Sequence, residues 1–106
     1  MSRRYSSDIL AALKNYKEIA KKVKEIVKKF DPKARVFVFG SVVRGRFTAS
    51  SDIDILIVTE KVELKHEIMV EVYRSVDAPI ELHIATQKQL RDWYLRFIDP
   101  KELEEI

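Results

Sequence analysis

The chain has 106 residues, of which 46% are hydrophobic and 35% are charged. This length fits one compact domain spanning residues 1–106, and the hydrophobic fraction favours a folded globule over disorder. The absence of cysteine excludes disulfides and thiolate metal sites. Neither a signal-peptide core nor an apolar run of membrane-spanning length is present, so we expect a cytoplasmic protein without membrane contact.

The charge is unevenly distributed along the chain, although the net value is only +3. Residues 1–46 carry 13 Lys/Arg and 4 Asp/Glu, whereas residues 47–106 carry 7 and 13. The basic first half could attract a nucleic acid, or it could simply form a solvated, lysine-rich helix face. We favour the second interpretation, because the lysines are not interleaved with aromatic residues on which bases would stack.

Three segments have the apolar spacing of helices. Residues 7–30 predict one long amphipathic helix that ends at an Asp-Pro step, with apolar residues recurring at steps of three and four. Residues 60–75 predict a second helix. Residues 87–97 predict a final one, introduced by a Thr-x-x-Gln capping box. The tail, residues 101–106, is expected to fray.

Three other segments predict β-strands. Residues 35–39 are a β-branched and aromatic run ended by glycine, residues 52–58 are almost wholly apolar, and residues 80–85 alternate apolar and polar side chains. The density of apolar residues in the second strand predicts a central position. The chain is therefore expected to form a small α/β (α+β) domain, with a mixed sheet of three or four strands flanked by helices.

Two carboxylates interrupt the apolar second strand. Asp52 and Asp54 are two residues apart, and such positions of a strand face the same side of the sheet. Like charges in a poorly hydrated place repel each other, and a divalent cation removes that cost. Magnesium prefers oxygen ligands and commonly combines one or two carboxylates with substrate phosphates.

The third strand carries another acidic residue, Glu81, on the same face as His83. If the second and third strands are neighbours, Glu81 lies beside Asp54, and three carboxylates would suit two metal ions. Each residue also has an ordinary explanation: Asp-x-Asp is common at strand ends, and Glu81 could sit on a solvated strand. His83 is more often a structural histidine than a ligand.

A Gly-Ser pair, Gly40-Ser41, directly follows the first strand. Glycine lets the backbone turn and approach a ligand closely, and the following amides and the Ser41 hydroxyl can bind phosphate oxygens. Arg44 and Arg46, in the same connection, can add charge-assisted hydrogen bonds. Alone, the pair would be an ordinary turn; with the strand carboxylates, it predicts a phosphate cradle opposite a metal site.

The stretch from Gly40 to Asp54 resembles the signature of the minimal nucleotidyltransferases of the DNA polymerase β-like superfamily, and the similarity covers about residues 35–85. The matching residues are Gly40 and Ser41, Arg44 and Gly45, Ser51, Asp52 and Asp54, and, at the place of the third carboxylate, Glu81. The sequence departs from the family pattern by having glutamate where aspartate is commoner.

The resemblance implies magnesium-dependent transfer of a nucleoside monophosphate, usually AMP from ATP, to an acceptor. In that case Asp52, Asp54 and Glu81 would be the catalytic residues and hold two Mg²⁺ ions. The nucleotide would be bound by the Gly-Ser pair together with Arg44 and Ser51.

The resemblance also implies a partner. Chains of this size resemble the small subunit of a toxin–antitoxin pair whose other member is a helical HEPN-type protein, which the nucleotidyltransferase neutralises by adding AMP. The alternative is an antitoxin or accessory subunit that binds nucleotide and partner but is catalytically silent. Whether the chain forms a homo- or a hetero-oligomer stays open.

Overall fold

A computed structural model describes residues 6–106 of the chain. In chain order its main elements are α1 (Ser6–Lys14), α2 (Tyr16–Phe30), β1 (Arg35–Phe39), α3 (Ser41–Arg44), β2 (Ile53–Val58), α4 (Lys65–Ser75), β3 (Ile80–Ala85), α5 (residues 87–97) and β4 (Glu104–Glu105). Short 3₁₀ turns at Val62–Leu64 and Pro100–Glu102 precede α4 and β4. Within this part of the chain, no helix is both long and apolar enough to span a bilayer.

The four strands form one mixed sheet in the order β3-β2-β1-β4. β2 runs parallel to β3 and antiparallel to β1, and β1 runs antiparallel to β4. β2 is therefore central, as its apolar composition predicts. The expectation of a small mixed sheet flanked by helices is confirmed.

The long N-terminal helix predicted over residues 7–30 is interrupted at Asn15, which has φ −95° and ψ 27° and separates α1 from α2. Its carbonyl oxygen accepts from the amides of both Glu18 and Ile19, at 3.0 and 3.3 Å. Asparagine is a weak helix former, because its side chain competes for backbone hydrogen bonds. The apolar stripe continues across the break, since Leu13, Ala20, Val23 and Val27 are all fully buried.

The main core lies on one face of the sheet, where Ile53, Ile55 and Ile57 of β2 pack against α2 and α4. The opposite face carries a smaller core, to which α5 contributes Leu90. Its buried members are Phe37, Leu56, Val58, Ala85 and Leu90. Because α5 covers only part of this second face, the row of side chains at the end of β1 and the start of β2, where Phe39 pairs with Asp54, stays partly open.

The C-terminal tail is not frayed, contrary to the sequence-based expectation. Glu104 and Glu105 pair with Val38 and Phe37 as strand β4, and the Ile106 amide donates to the Val36 oxygen at 2.9 Å. The Arg35 guanidinium adds two hydrogen bonds to the Glu105 carboxylate, at 2.8 and 2.9 Å. Without β4, β1 would present unpaired backbone groups along an edge of the sheet.

A buried carboxylate joins the end of α2 to the end of β2. Asp31 is 5% exposed and accepts from the Thr59 hydroxyl at 2.6 Å and from the Lys33 amide at 3.0 Å. The hydrogen bond from Thr59 is the main reason why the pKa of Asp31 lies below its ordinary value, and the Lys33 amide acts in the same direction. The ionised form is therefore favoured by the fold.

We expect Asp31→Asn to lower the free energy of unfolding at pH 7 by about 2 kcal/mol, because hydrogen bonds to a buried charge are among the stronger ones. Since the folded-state pKa is depressed, this contribution is fully present above the ordinary aspartate pKa of about 3.9 and is lost as the pH falls through the folded-state value. Urea unfolding of both proteins from pH 7 to pH 3 checks this.

The gap in stability between wild type and Asp31→Asn should narrow toward pH 3. Asp8→Asn, on the exposed surface of α1, is the matched control and should change little at any pH. A gap that stays constant over this range would contradict the assigned role of the Asp31 charge.

Candidate active site

Three potential ligand-bearing side chains meet on the open face of the sheet. Asp54 of β2 is the register partner of Glu81 on β3, and His83 lies two residues further along β3 on the same face. One ligand atom from each of these side chains lies within 4.8 Å of the others. The parallel pairing of β2 and β3 thus brings together two of the three carboxylates that the sequence singles out.

Asp54 lies in a partly dehydrated position, with 24% of its side chain exposed. Burial raises the pKa of Asp54 above its ordinary value, the negative charge of Glu81 raises it further, and His83 opposes both effects. A carboxylate in this position is costly to ionise unless a positive charge lies close by. The arrangement therefore favours a bound cation.

His83 is the site residue that the sequence interpretation did not include. Its Nε2 atom is buried, lies 3.5 Å from Oδ1 of Asp54 and makes no hydrogen bond to any described residue. This distance exceeds the usual range for an N–H···O bond, so the two atoms lie close together without a hydrogen bond between them. The period of two that places His83 on the face of Glu81 was the available signal, but histidines with structural roles share it.

Gly40 lies directly against the Asp54 carboxylate. It has φ +89° and ψ −157°, a conformation that side chains rarely tolerate. A Cβ atom at this position would be 2.5 Å from Oδ2 of Asp54. Two independent constraints, the backbone conformation and the close approach, therefore require glycine here. The Gly40 turn therefore lies directly beside the Asp54–Glu81 pair.

The remaining predicted residues have different surroundings. Asp52 is exposed, precedes the first paired residue of β2 and lies outside the Asp54–Glu81–His83 group.

The Arg44 guanidinium pairs with Glu102 at 3.3 Å, at the surface. The Ser51 hydroxyl accepts from the Thr48 amide at 3.0 Å and so closes the loop before β2. Ser41 is the first residue of α3, immediately after Gly40.

Comparison with known proteins assigns the class. The family model described as a nucleotidyltransferase domain matches residues 20–105, so the chain belongs to the nucleotidyltransferase domain family. It is similar to the crystal structure of a candidate nucleotidyltransferase, with 34% identity and a TM-score of 0.65 over 81% of this chain and 95% of that one. A comparison with curated proteins found no match.

Two more distant structures share the fold. A candidate nucleotidyltransferase from Sulfolobus solfataricus is 21% identical with a TM-score of 0.62, over 99% of this chain and 89% of that one. The structure of Cid1 in complex with its short product ApU is 16% identical with a TM-score of 0.53, over 76% of this chain and 29% of that one. At these identities the likeness concerns the fold alone.

The two glycines of the chain offer a matched test of the Gly40 contact. Gly45 also has positive φ, +72°, but a Cβ atom there would meet nothing within 4 Å. We expect Gly45→Ala to lower the free energy of unfolding by about 1 kcal/mol through backbone strain alone. Gly40→Ala should lower it by more, about 2 to 3 kcal/mol, and turn the Asp54 carboxylate away.

Thermal unfolding and the NMR signals of the two histidine rings check this pair. Only Gly40→Ala should move the signals of His83, while those of His66, exposed on α4, stay in place in both variants. If Gly40→Ala were no more destabilising than Gly45→Ala and left the His83 signals unmoved, the contact between Gly40 and Asp54 would be refuted.

Proposed function

We propose that this chain transfers a nucleoside monophosphate, AMP in the first instance, from the nucleoside triphosphate to a hydroxyl group of an acceptor and releases pyrophosphate. The observation that carries the proposal is the pairing of Asp54 with Glu81 across β2 and β3, with the Gly40 turn against the same carboxylate. Membership of the nucleotidyltransferase family agrees with it.

The donor set fits a divalent cation. Two carboxylates and an imidazole nitrogen without a hydrogen-bond partner among the described residues converge within 4.8 Å, and Asp54 is costly to ionise unaided. Asp54 and Glu81 would hold Mg²⁺, with Asp52 adding a carboxylate from the segment just before β2, as two ions would require. Such ions polarise the phosphoryl group and neutralise the charge that develops on it.

The protein groups themselves then position the reactants. The Gly40 turn and the Ser41 hydroxyl would hold the triphosphate beside Asp54. Glu81 would accept the proton of the acceptor hydroxyl as its oxygen bonds to the α-phosphorus and the bond to the pyrophosphate oxygen breaks. Catalysis of this kind rests on orientation and charge stabilisation rather than on covalent chemistry with the protein.

Arg44 is proposed to bind the nucleotide after a local change, whereas Ser51 is proposed to support the nucleotide site from its present position. The Arg44 pair with Glu102 is exposed, and surface ion pairs contribute about 0 to 1 kcal/mol, so exchanging Glu102 for a phosphate costs little. Ser51 would act by holding the loop before β2, in which its hydroxyl accepts from the Thr48 amide.

For the acceptor, we propose a helical HEPN-type protein that forms a toxin–antitoxin pair with this chain. The support is the resemblance of residues 40–54 to the minimal nucleotidyltransferases, in which such partners occur. Capture of the partner followed by identification of the modified residue would test this part separately from the chemistry.

One observation favours a second candidate, a catalytically silent module that binds nucleotide and partner. Asp52 lies outside the Asp54–Glu81–His83 group, so its carboxylate is not among the ligand atoms that lie within 4.8 Å of one another. A silent module would bind ATP and partner without transferring label, and its partner complex would survive the loss of the carboxylates.

We expect Asp54→Asn and Glu81→Gln each to lower transfer of label from α-labelled ATP by at least 100-fold, because groups aimed at developing charge contribute about that much or more. Purified protein with Mg²⁺, ATP and a lysate as the source of acceptor supplies the assay. Glu63→Gln, exposed in the turn before α4, is the matched control and should label as wild type does.

Label transfer that persists in both carboxylate variants would contradict the proposed chemistry. Magnesium-dependent ATP binding without any transfer by wild type would favour the silent module. If wild type neither transferred label nor bound ATP, the assignment of the active site itself would be refuted.

A further inference from the structure

A pocket of about 470 Å³ opens between the sheet and α5, next to the Asp54–Glu81–His83 group. Its walls are mainly aromatic and aliphatic side chains. The residues that line it are Phe39, His83, Ile84, Gln89, Trp93, Tyr94, Phe97 and Ile98. Two of them are large apolar groups left open to solvent, because Trp93 is 65% and Phe97 76% exposed. A pocket of this size accommodates a small organic ligand.

The pocket is continuous with the proposed active site through two of its lining residues. The Nε2 atom of His83 lies 3.5 Å from Oδ1 of Asp54, and the centroid of its ring lies 6.3 Å from that of Tyr94. Phe39 is the register partner of Asp54 and directly precedes Gly40. Its ring packs near that of His83, with the ring centroids 5.2 Å apart. A molecule whose phosphates lie at Gly40 and Asp54 can therefore extend into this pocket.

The chemistry of the pocket suits a flat, uncharged, aromatic group. Among the described residues, none with a carboxylate, ammonium or guanidinium group lines it, so a polyphosphate would find no counter-charge from them. Trp93 and Phe97 contact each other with ring centroids 5.8 Å apart. The Tyr94 hydroxyl and the Gln89 side-chain amide nitrogen make no hydrogen bonds to described residues. Both groups can therefore hydrogen-bond to polar atoms at the edge of a bound ring.

The backbone of α5 presents these residues. The helix begins with the Thr86–Gln89 capping box and widens to π-helical hydrogen bonding over Leu90–Tyr94. Leu90 is buried in the smaller core and anchors this segment, while Trp93 and Tyr94 at its end line the pocket. Isolated π-helical turns occur frequently at functional sites.

We propose that this pocket binds the nucleobase of the donor nucleoside triphosphate. The inference rests on the proposed function for the placement of the phosphates at Gly40 and Asp54. Stacking against Trp93, Phe97 and the neighbouring rings supplies the affinity, and sugar and phosphates reach past His83 toward the carboxylates.

The single tryptophan of the chain reports on this pocket directly, because it is Trp93. We expect adenosine to quench the fluorescence of Trp93 in a saturable manner, with or without Mg²⁺, and inorganic tripolyphosphate to leave it unchanged. Adenosine has no phosphates, so its binding should also survive Asp54→Asn. No saturable quenching by adenosine or ATP, with ATP binding established by equilibrium dialysis, would overturn the proposal.

Two substitutions in α5 provide a matched comparison. Phe97→Ala removes a ring of the pocket, whereas Leu95→Ala removes an apolar side chain of the same helix that is 39% exposed and does not line the pocket. Loss of one stacking contact should weaken adenosine and ATP binding roughly 5- to 150-fold in Phe97→Ala. Leu95→Ala should bind both as wild type does.

The outcomes separate this proposal from the proposed reaction. If adenosine quenches the fluorescence of Trp93 in wild type and not in Phe97→Ala, the base pocket is supported even if wild type transfers no label. Normal ATP affinity in Phe97→Ala, together with impaired label transfer, would overturn it by assigning the pocket to the acceptor. Normal ATP affinity and normal transfer in Phe97→Ala would overturn it by leaving the pocket without a part in either step.

Discussion

The rest of the structure depends on the parallel pairing of β2 with β3. This pairing sets Ile53, Ile55 and Ile57 toward the main core and Asp54 toward the opposite face. Because side chains alternate along a strand, a register shift of one residue would bury Asp54 among the isoleucines and expose the core. The hydrophobic burial that stabilises the sheet therefore also fixes Asp54 opposite Glu81, and the geometry of the carboxylate pair follows from the packing.

The unequal covering of the two sheet faces explains why the chemistry lies where it does. Helices α2 and α4 close one face with a continuous core, whereas α5 covers only part of the other. A carboxylate on the first face would pay the full cost of desolvation. On the second face, Asp54 keeps about a quarter of its side chain exposed and remains accessible to a cation and a substrate.

Sequence patterns predicted the elements with strong periodicity and failed where tertiary contacts decide. The strand positions, the central place of β2 and the meeting of Asp54 with Glu81 follow from alternation and apolar density. The break at Asn15 and the strand at Glu104–Glu105 do not. The first depends on one weak helix former inside an otherwise continuous stripe, and the second on pairing with β1, 66 residues or more away in the chain. His83 was missed because its surroundings in the fold, which its spacing does not reveal, leave its Nε2 atom without a hydrogen-bond partner among residues 6–106.

The aromatic wall beside the carboxylates also acts on their electrostatics. Phe39 and His83 contact each other next to Asp54 and limit its access to water, and burial is the main reason why the pKa of Asp54 is raised. The same dehydration that makes Asp54 costly to ionise also strengthens the attraction of its carboxylate to a cation, because charges interact more strongly at low effective dielectric. A flat group seated in the pocket would exclude further water from the same place. Binding of an uncharged ring and of a charged phosphate–cation pair would then be cooperative, since each reduces the solvent competition that the other meets.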